Sequence, residues 1–149
     1  MTKYEQKAVE LFREGFNCSQ AVFAAFADEM NIDRDVALRM TGPNGGGVAR
    51  LREVCGAVTS MLMVYGYFHG NSDGANQDAK ARVYEESRGL VDEFKAEHGT
   101  IICRELLGIP MDVNSPVKPA ARTAEYYQTR PCERCIATAA RIAEKHMTK

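Results

Sequence analysis

Five cysteines are the residues of this 149-residue chain whose chemistry and positions point to a function. Signals for the start of a helix accompany four of them: Cys18, Cys103, Cys132 and Cys135. The first turn of a helix has unpaired backbone N–H groups and roughly half a positive charge, so it stabilises a thiolate relative to a thiol. Cysteines at such positions are predicted to have lowered pKa values, which suits redox or metal chemistry.

The fifth cysteine, Cys55, belongs to the stretch around which the fold is expected to be organised. It follows Arg50 and Arg52 closely, and either arginine could supply positive charge to its thiol. An apolar helix is predicted here over about residues 51–68. Because this helix is apolar on nearly every side, it belongs at the centre of a bundle.

A glycine-rich segment, residues 42–47, precedes this helix and must be irregular. A phosphate-binding P-loop is disfavoured, because no Gly-Lys-Ser/Thr follows and no strand pattern precedes the glycines. Two interpretations stay open: a tight crossing between backbones, or a functional loop that lines the thiol site. The second makes candidate cofactor-binding residues of Gly45, Gly46, Gly47 and Arg50.

Cys132 and Cys135 form a C-x-x-C motif at helical spacing, which suits a disulfide or one metal ion. The thioredoxin version of the motif needs a βαβ context, which the sequence does not predict. The zinc version needs further ligands. If the helix starts converge, Cys18, Cys55 and Cys103 could supply them, and the product would be a zinc site or an iron–sulfur cluster.

The remaining pattern predicts an all-α, single-domain bundle of about six helices over residues 1–149. Asn17 and Gln20 have the spacing of a capping box, which puts Cys18 at the first position of a helix whose apolar stripe runs to Met30. Other predicted helices cover 3–14, 34–40, 75–98 and 101–107, and the last begins near Pro131. Residues 108–120 are expected to be an extended connection.

Charge and hydropathy exclude several classes of function. The net charge is −1, so no nucleic-acid-binding surface is predicted. The longest apolar stretch, residues 54–68, falls short of the about 20 residues that span a bilayer. The charged N-terminus lacks the apolar region of a signal peptide, so a cytoplasmic protein is expected. In that reducing compartment, catalytic or metal-binding cysteines are favoured over a static disulfide framework. The histidines, His69, His98 and His146, are expected at helix ends rather than as ligands.

The order of these motifs resembles a family of redox-active proteins named for a C_GCAxxG_C_C signature. The resemblance runs from Cys18 through Cys55-Gly56-Ala57 and Cys103 to Cys132-Glu133-Arg134-Cys135-Ile136. It implies a mostly helical domain, related to part of split-Soret-type cytochromes, with cysteines that are redox-active or hold a metal centre. By position, the signature thiols and implied metal ligands are Cys18, Cys55, Cys103 and Cys132.

Two departures from the signature stand out. The name has Gly-Cys-Ala where this chain has Cys55-Gly56-Ala57, and Ser60 replaces the final glycine. Ile136 follows Cys135 where a haem-attachment motif would have histidine, so the cytochrome role is not implied.

Three hypotheses follow. The first is a thiol redox protein, and the corresponding enzyme would be a thiol–disulfide oxidoreductase. Its candidate catalytic residues are Cys18, Cys55, Cys132 and Cys135. The pairs to test first are Cys132/Cys135 and Cys18/Cys55. The second is a module that holds iron–sulfur or zinc. The third is a helical scaffold or oligomerisation domain with incidental cysteines. A redox partner of unidentified type is expected, a homodimer is left open, and neither nucleic acid nor a membrane is an expected partner. The first two hypotheses require that the thiols meet in one electropositive pocket.

Overall fold

The computed structural model describes residues 1–109 and 115–148. These residues form eight α-helices, which confirms the all-α prediction and exceeds the expected number of about six. In chain order they are α1 (Lys3–Arg13), α2 (Cys18–Ala24), α3 (Arg34–Thr41), α4 (Gly56–His69), α5 (Gln77–His98), α6 (Cys103–Leu107), α7 (Ala124–Thr129) and α8 (Cys132–Met147). Within the described ranges, no helix combines the length and the apolar character needed to cross a membrane.

The largest differences from the predicted helix boundaries are at the start of α4 and the end of α2. The central helix α4 begins at Gly56 rather than near residue 51, because Val48, Ala49, Arg50 and Arg52 have positive φ angles and no right-handed helix can include them. Helix α2 ends at Ala24, although the apolar stripe continues in turns as far as Met30, which is buried. The apolar stripe therefore predicted the core residues correctly, but it predicted a helix that is longer than α2.

The segment before α8 contains a helix that was not predicted. The Thr123 hydroxyl accepts a hydrogen bond from the Tyr126 N–H and so caps α7. The predicted extended connection at 108–120 lies partly outside the described residues.

Helix α4 packs against α2, α5 and α8, as expected for the central helix. Its buried side chains Val58, Met61 and Val64 join one core cluster with residues of α1, α2, α5 and α8. The crossing of α4 over α2 is close at Gly56, where an added Cβ would lie 3.0 Å from the Ser19 backbone nitrogen. Gly56 therefore lies at the contact surface between α4 and α2.

Ser60, which replaces the signature glycine, joins the same contact by hydrogen bonds. Its hydroxyl donates to the Ser19 carbonyl oxygen at 2.7 Å and lies 2.9 Å from the Ser19 hydroxyl, and both side chains are fully buried. The serine thus links the two helices without separating them.

We expect Ser60→Ala to lower the free energy of unfolding by about 1–2 kcal/mol, because the buried Ser19 hydroxyl then loses its partner. The double variant Ser19→Ala/Ser60→Ala should cost less than the sum of the two single changes. Urea denaturation of the four proteins in a double-mutant cycle measures this. Strictly additive effects would show that the two hydroxyls do not interact.

Candidate functional site

All five cysteines line one cavity of about 390 Å³. Three helix N-termini converge on it, those of α2, α6 and α8, together with Cys55 immediately before α4. Four arginines also line this cavity, two from the chain between the glycine segment and α4 and two from the chain on either side of α7: Arg50, Arg52, Arg122 and Arg130. The structure therefore brings the distant sulfur atoms together in electropositive surroundings, as the sequence predicted.

Local capping positions Cys18. The Asn17 side chain accepts from the Gln20 N–H, and the Gln20 side chain accepts from the Asn17 N–H, each at 3.0 Å, so the predicted capping box is confirmed. The Asn17 amide also donates to the Gly42 carbonyl oxygen at 3.0 Å. Helix α2 therefore begins at Cys18, and its start is attached to the glycine segment.

A short antiparallel contact between chain segments positions Cys55 and Cys103. Val54 pairs with Ile102, and the backbone N–H groups of Cys55 and Cys103 donate to Ile101 and Glu53 at 2.7 and 2.6 Å. This pairing lies at the starts of α4 and α6. It fixes both cysteines at the cavity wall.

The first thiol pair consists of Cys18 and Cys132, whose side chains share a hydrogen bond. A side-chain hydrogen bond from Cys18, helped by Arg130, Arg122 and Arg52, lowers the pKa of Cys132 to about 7 against the opposing effect of burial. The same hydrogen bond and burial raise the pKa of Cys18 well above its usual value. Cys18 is therefore the S–H donor and Cys132 the thiolate acceptor.

The second pair joins Cys55 to Cys135 and is more deeply buried, with the two residues 5% and 1% exposed. The side-chain hydrogen bond from Cys135 lowers the pKa of Cys55, and the backbone N–H groups of Ala57 and Val58 act in the same direction. That hydrogen bond and burial raise the pKa of Cys135. Cys55 is thus the thiolate-forming member of this pair.

Cys103, the remaining thiol, hydrogen-bonds an arginine. The Arg52 guanidinium donates to its sulfur at 3.6 Å from Nη1, while burial raises the pKa of the thiol. The prediction that every helix-start cysteine has a lowered pKa is wrong for Cys18, Cys103 and Cys135, because desolvation or a thiolate neighbour outweighs the helix terminus there. The thiol pairs in the structure, Cys18/Cys132 and Cys55/Cys135, also differ from the pairs chosen from the sequence, which were Cys132/Cys135 and Cys18/Cys55.

Comparison with protein families identifies the chain. A family model described as "Putative redox-active protein (C_GCAxxG_C_C)" matches residues 16–146. The chain belongs to this family. No curated protein and no solved structure matches it.

In this C_GCAxxG_C_C protein, the glycine segment packs against the thiol-bearing helices as well as lining the cavity. An added Cβ at Gly45 would lie 2.1 Å from the Asn17 amide nitrogen, and one at Gly47 would lie 2.6 Å from the Cys103 Cβ. The N–H groups of residues 48–53 donate to carbonyls within residues 43–48. Those N–H groups are not available to hold a phosphate. A cofactor role for Gly45, Gly46, Gly47 and Arg50 stays a prediction.

His98, like Arg122 and Arg130, belongs to the C_GCAxxG_C_C site without having been predicted from the sequence. His98 is the last residue of α5, as expected, yet its Nδ1 lies 3.9 Å from the Cys135 sulfur and its Nε2 lies 2.9 Å from the Thr138 hydroxyl. Burial lowers the pKa of this histidine, so the neutral ring is favoured beside the thiol. Only the packing of α5 on α8 brings the two residues together, and no sequence spacing signals it.

The predicted metal ligands have other partners in the structure. Among residues 1–109 and 115–148, no group of three or more His, Cys, Asp or Glu side chains is arranged so that it could hold a metal ion. The cysteines instead form two thiol pairs and one thiol–arginine contact. The set Cys18, Cys55, Cys103 and Cys132 therefore stays a prediction as far as metal binding is concerned.

Proposed function

We propose that this C_GCAxxG_C_C protein is a thiol–disulfide oxidoreductase in which Cys132 attacks the substrate and Cys18 resolves the intermediate. One observation carries the proposal: the Cys18–Cys132 pair lies at a cavity wall with the pKa of Cys132 at about 7. A thiol whose pKa is near the ambient pH is the best attacking group, because it combines a large thiolate fraction with good nucleophilicity.

The proposed reaction transfers two electrons from the thiol pair to a disulfide. The Cys132 thiolate attacks one sulfur of the substrate disulfide, its S–S bond breaks, and the first substrate thiolate leaves with a proton from solvent. The Cys18 thiol then loses its proton and attacks the Cys132 sulfur of the mixed disulfide. The second substrate thiolate leaves, takes up a proton, and the Cys18–Cys132 disulfide remains.

Accessibility favours Cys132 over Cys55 as the attacking residue. Both have lowered pKa values, but Cys55 is 5% exposed and its partner Cys135 is 1% exposed, whereas Cys132 and Cys18 are only partly buried. A substrate disulfide in the cavity therefore reaches Cys132 first. The buried pair needs no direct access to substrate if it acts on its neighbours.

We assign the buried pair the role of a second dithiol that reduces the first. The Cys55 thiolate attacks the Cys132 sulfur of the Cys18–Cys132 disulfide and the Cys18 thiolate leaves; Cys135 then attacks Cys55 and releases Cys132. The result is a Cys55–Cys135 disulfide and a reduced outer pair. Cys132 and Cys135 lie one turn apart on α8, and the charges of Cys55 and Cys132 already influence each other. The fully reduced protein would therefore reduce two disulfides.

Peptide mapping after oxidation tests the outer pair. The reduced protein is treated without oxygen with one equivalent of hydroxyethyl disulfide, acid-quenched, blocked and digested with trypsin. The five cysteines fall on five different tryptic peptides, because trypsin can cleave between Arg134 and Cys135. In the earliest samples we expect the peptide containing Cys18 linked to the peptide containing Cys132, with the Cys55–Cys135 link appearing later.

Two results would contradict the proposal. The first is oxidation that produces only bonds between protein molecules, or none at all. The second is protein purified without oxygen that holds stoichiometric iron or zinc and whose thiols stay unreactive until the metal is removed. That result would favour the metal-binding module instead.

A further inference from the structure

The wall of the thiol cavity carries an excess of positive charge. Four arginines line it, and none of the described residues that line it is an aspartate or glutamate. The net charge of the whole chain is −1, so this concentration does not reflect a basic protein. Positive charge is therefore concentrated around Cys132, the proposed attacking residue.

Neutral groups hold two of these arginines in place. Arg52 is 5% exposed, and its Nε donates to the Ser115 hydroxyl at 2.8 Å. Arg122 donates to the backbone oxygens of Phe12 and Phe16 at 2.7 and 2.9 Å. These partners fix each guanidinium group but do not neutralise it. A cation held this way adds its full charge to the cavity.

Among the described residues, the other two arginines, Arg50 and Arg130, also have no carboxylate partner. The arginine ion pairs in the described residues are made by Arg13, Arg34, Arg82, Arg104 and Arg141. Arg130 lies over the Tyr126 ring at 4.7 Å. The Nε of Arg50 is buried and has no hydrogen-bond partner among the described residues. A buried N–H group without a partner calls for an explanation, and a bound acceptor would provide one.

We propose that the cavity recognises small disulfides whose substituents carry negative charge, with the anionic groups at the arginines and the S–S bond at Cys132. This inference rests on the proposed exchange reaction and names its substrate class. Guanidinium groups bind carboxylates and phosphates with paired N–H donors. The cavity volume of about 390 Å³ lies within the range of small-molecule sites and suits a ligand of modest size.

Three disulfides of similar length test the charge preference: dithiodipropionate with two carboxylates, neutral hydroxyethyl disulfide, and cystamine with two ammonium groups. The rate of each with the reduced protein is divided by its rate with free mercaptoethanol, which removes the intrinsic reactivity. We expect the normalised rate of the dianion to exceed that of the neutral compound by about tenfold or more, with cystamine slowest. High salt should compress these differences.

Arginine variants show whether the cavity causes the preference. Arg50→Gln and Arg130→Gln should each reduce the dianion-to-neutral ratio several-fold. Arg130 also helps to lower the pKa of Cys132, but both rates in the ratio depend on the same Cys132 thiolate, so a change in that pKa cancels. Arg88→Gln is the matched control, since it removes the same charge from an exposed position on α5. Its ratio should equal that of the parent protein.

The outcomes separate this inference from the proposed function. Equal normalised rates for all three disulfides would overturn the anion preference and leave the exchange reaction standing. If no disulfide reacts, the exchange reaction fails, and binding of suberate, a dicarboxylate of similar length that cannot be reduced, decides the anion site alone. Suberate should raise the Tm of the parent protein more than that of Arg50→Gln. No rise in the parent would overturn the inference.

Discussion

Cys132→Ala should slow the first exchange with hydroxyethyl disulfide by at least about tenfold at pH 7 and prevent the link between Cys18 and residue 132. A pKa of about 7 gives Cys132 a thiolate fraction of about one half at that pH. In this variant Cys18 loses its hydrogen bond to residue 132, but burial still raises the pKa of Cys18, so its thiolate stays scarce at pH 7 and its higher nucleophilicity offsets only part of that deficit. The release of mercaptoethanol over time measures the rate.

The companion variant Cys18→Ala should have a different effect, because Cys18 acts after Cys132. Attack should continue, but the mixed disulfide on Cys132 should accumulate transiently, since only the later attack by Cys55 remains to resolve it. Mass spectrometry of the intact protein, with mapping of the peptide that contains Cys132, would detect the adduct. If the adduct instead forms on Cys55 or Cys103, the assignment of Cys132 as the attacking residue is wrong.

The pH dependence of alkylation gives the sign of the electrostatic effect. In the parent protein, the alkylation rate of Cys132 should rise with pH through a midpoint at about 7 and level off above it, as the thiolate forms. Cys18→Ala removes the strongest hydrogen bond to that thiolate, so the pKa of Cys132 should rise and the midpoint should move to higher pH. An unchanged midpoint would mean that the arginines alone stabilise the thiolate.

Sequence reasoning succeeded where local interactions decide the structure. The capping box of Asn17 and Gln20 involves residues three positions apart, and it placed the start of α2 at Cys18 correctly. Helix α5 ends at His98, as predicted, and Gly99 after it has a positive φ angle. The start of α4 was harder, because Val48, Ala49 and Arg50 adopt positive φ angles that their residue types disfavour. Backbone hydrogen bonds to carbonyls within residues 43–48 hold them there, and no motif in the sequence signals those bonds.

The thiol pairs depended on packing between distant elements. The C-x-x-C spacing favoured Cys132 with Cys135, but α8 presents these two residues to different neighbours, Cys18 from α2 and Cys55 before α4. The direction of each cysteine pKa shift was unpredictable for the same reason, because the position of a cysteine in a helix does not reveal its burial or a neighbouring thiolate. The arginines around α7 were missed as site residues, because that helix was not predicted.

Gly45→Ala should destabilise the protein by about 2–4 kcal/mol, although alanine can adopt the backbone conformation of residue 45. The added Cβ would lie 2.1, 2.3 and 2.8 Å from Nδ2, Cγ and Cβ of Asn17. Asn17 is held by its bonds to Gln20 and to the Gly42 carbonyl, so it moves only by losing the cap of α2. Loss of a cap costs about 0.5–2 kcal/mol, and overpacking typically adds 1–3 kcal/mol.

Gly89→Ala is the matched control for this change. Gly89 lies within α5, and an added Cβ would have no neighbour within 4 Å, so alanine should stabilise the helix by about 0.5–1 kcal/mol. Urea denaturation of the two variants and the parent protein gives the free energies of unfolding. Because Asn17 holds the start of the helix that carries Cys18, Gly45→Ala should also slow the resolving step, whereas Gly89→Ala should not. A Gly45→Ala protein as stable as its parent would mean that Asn17 can leave the cap freely, and the glycine would then have no part in positioning the thiol.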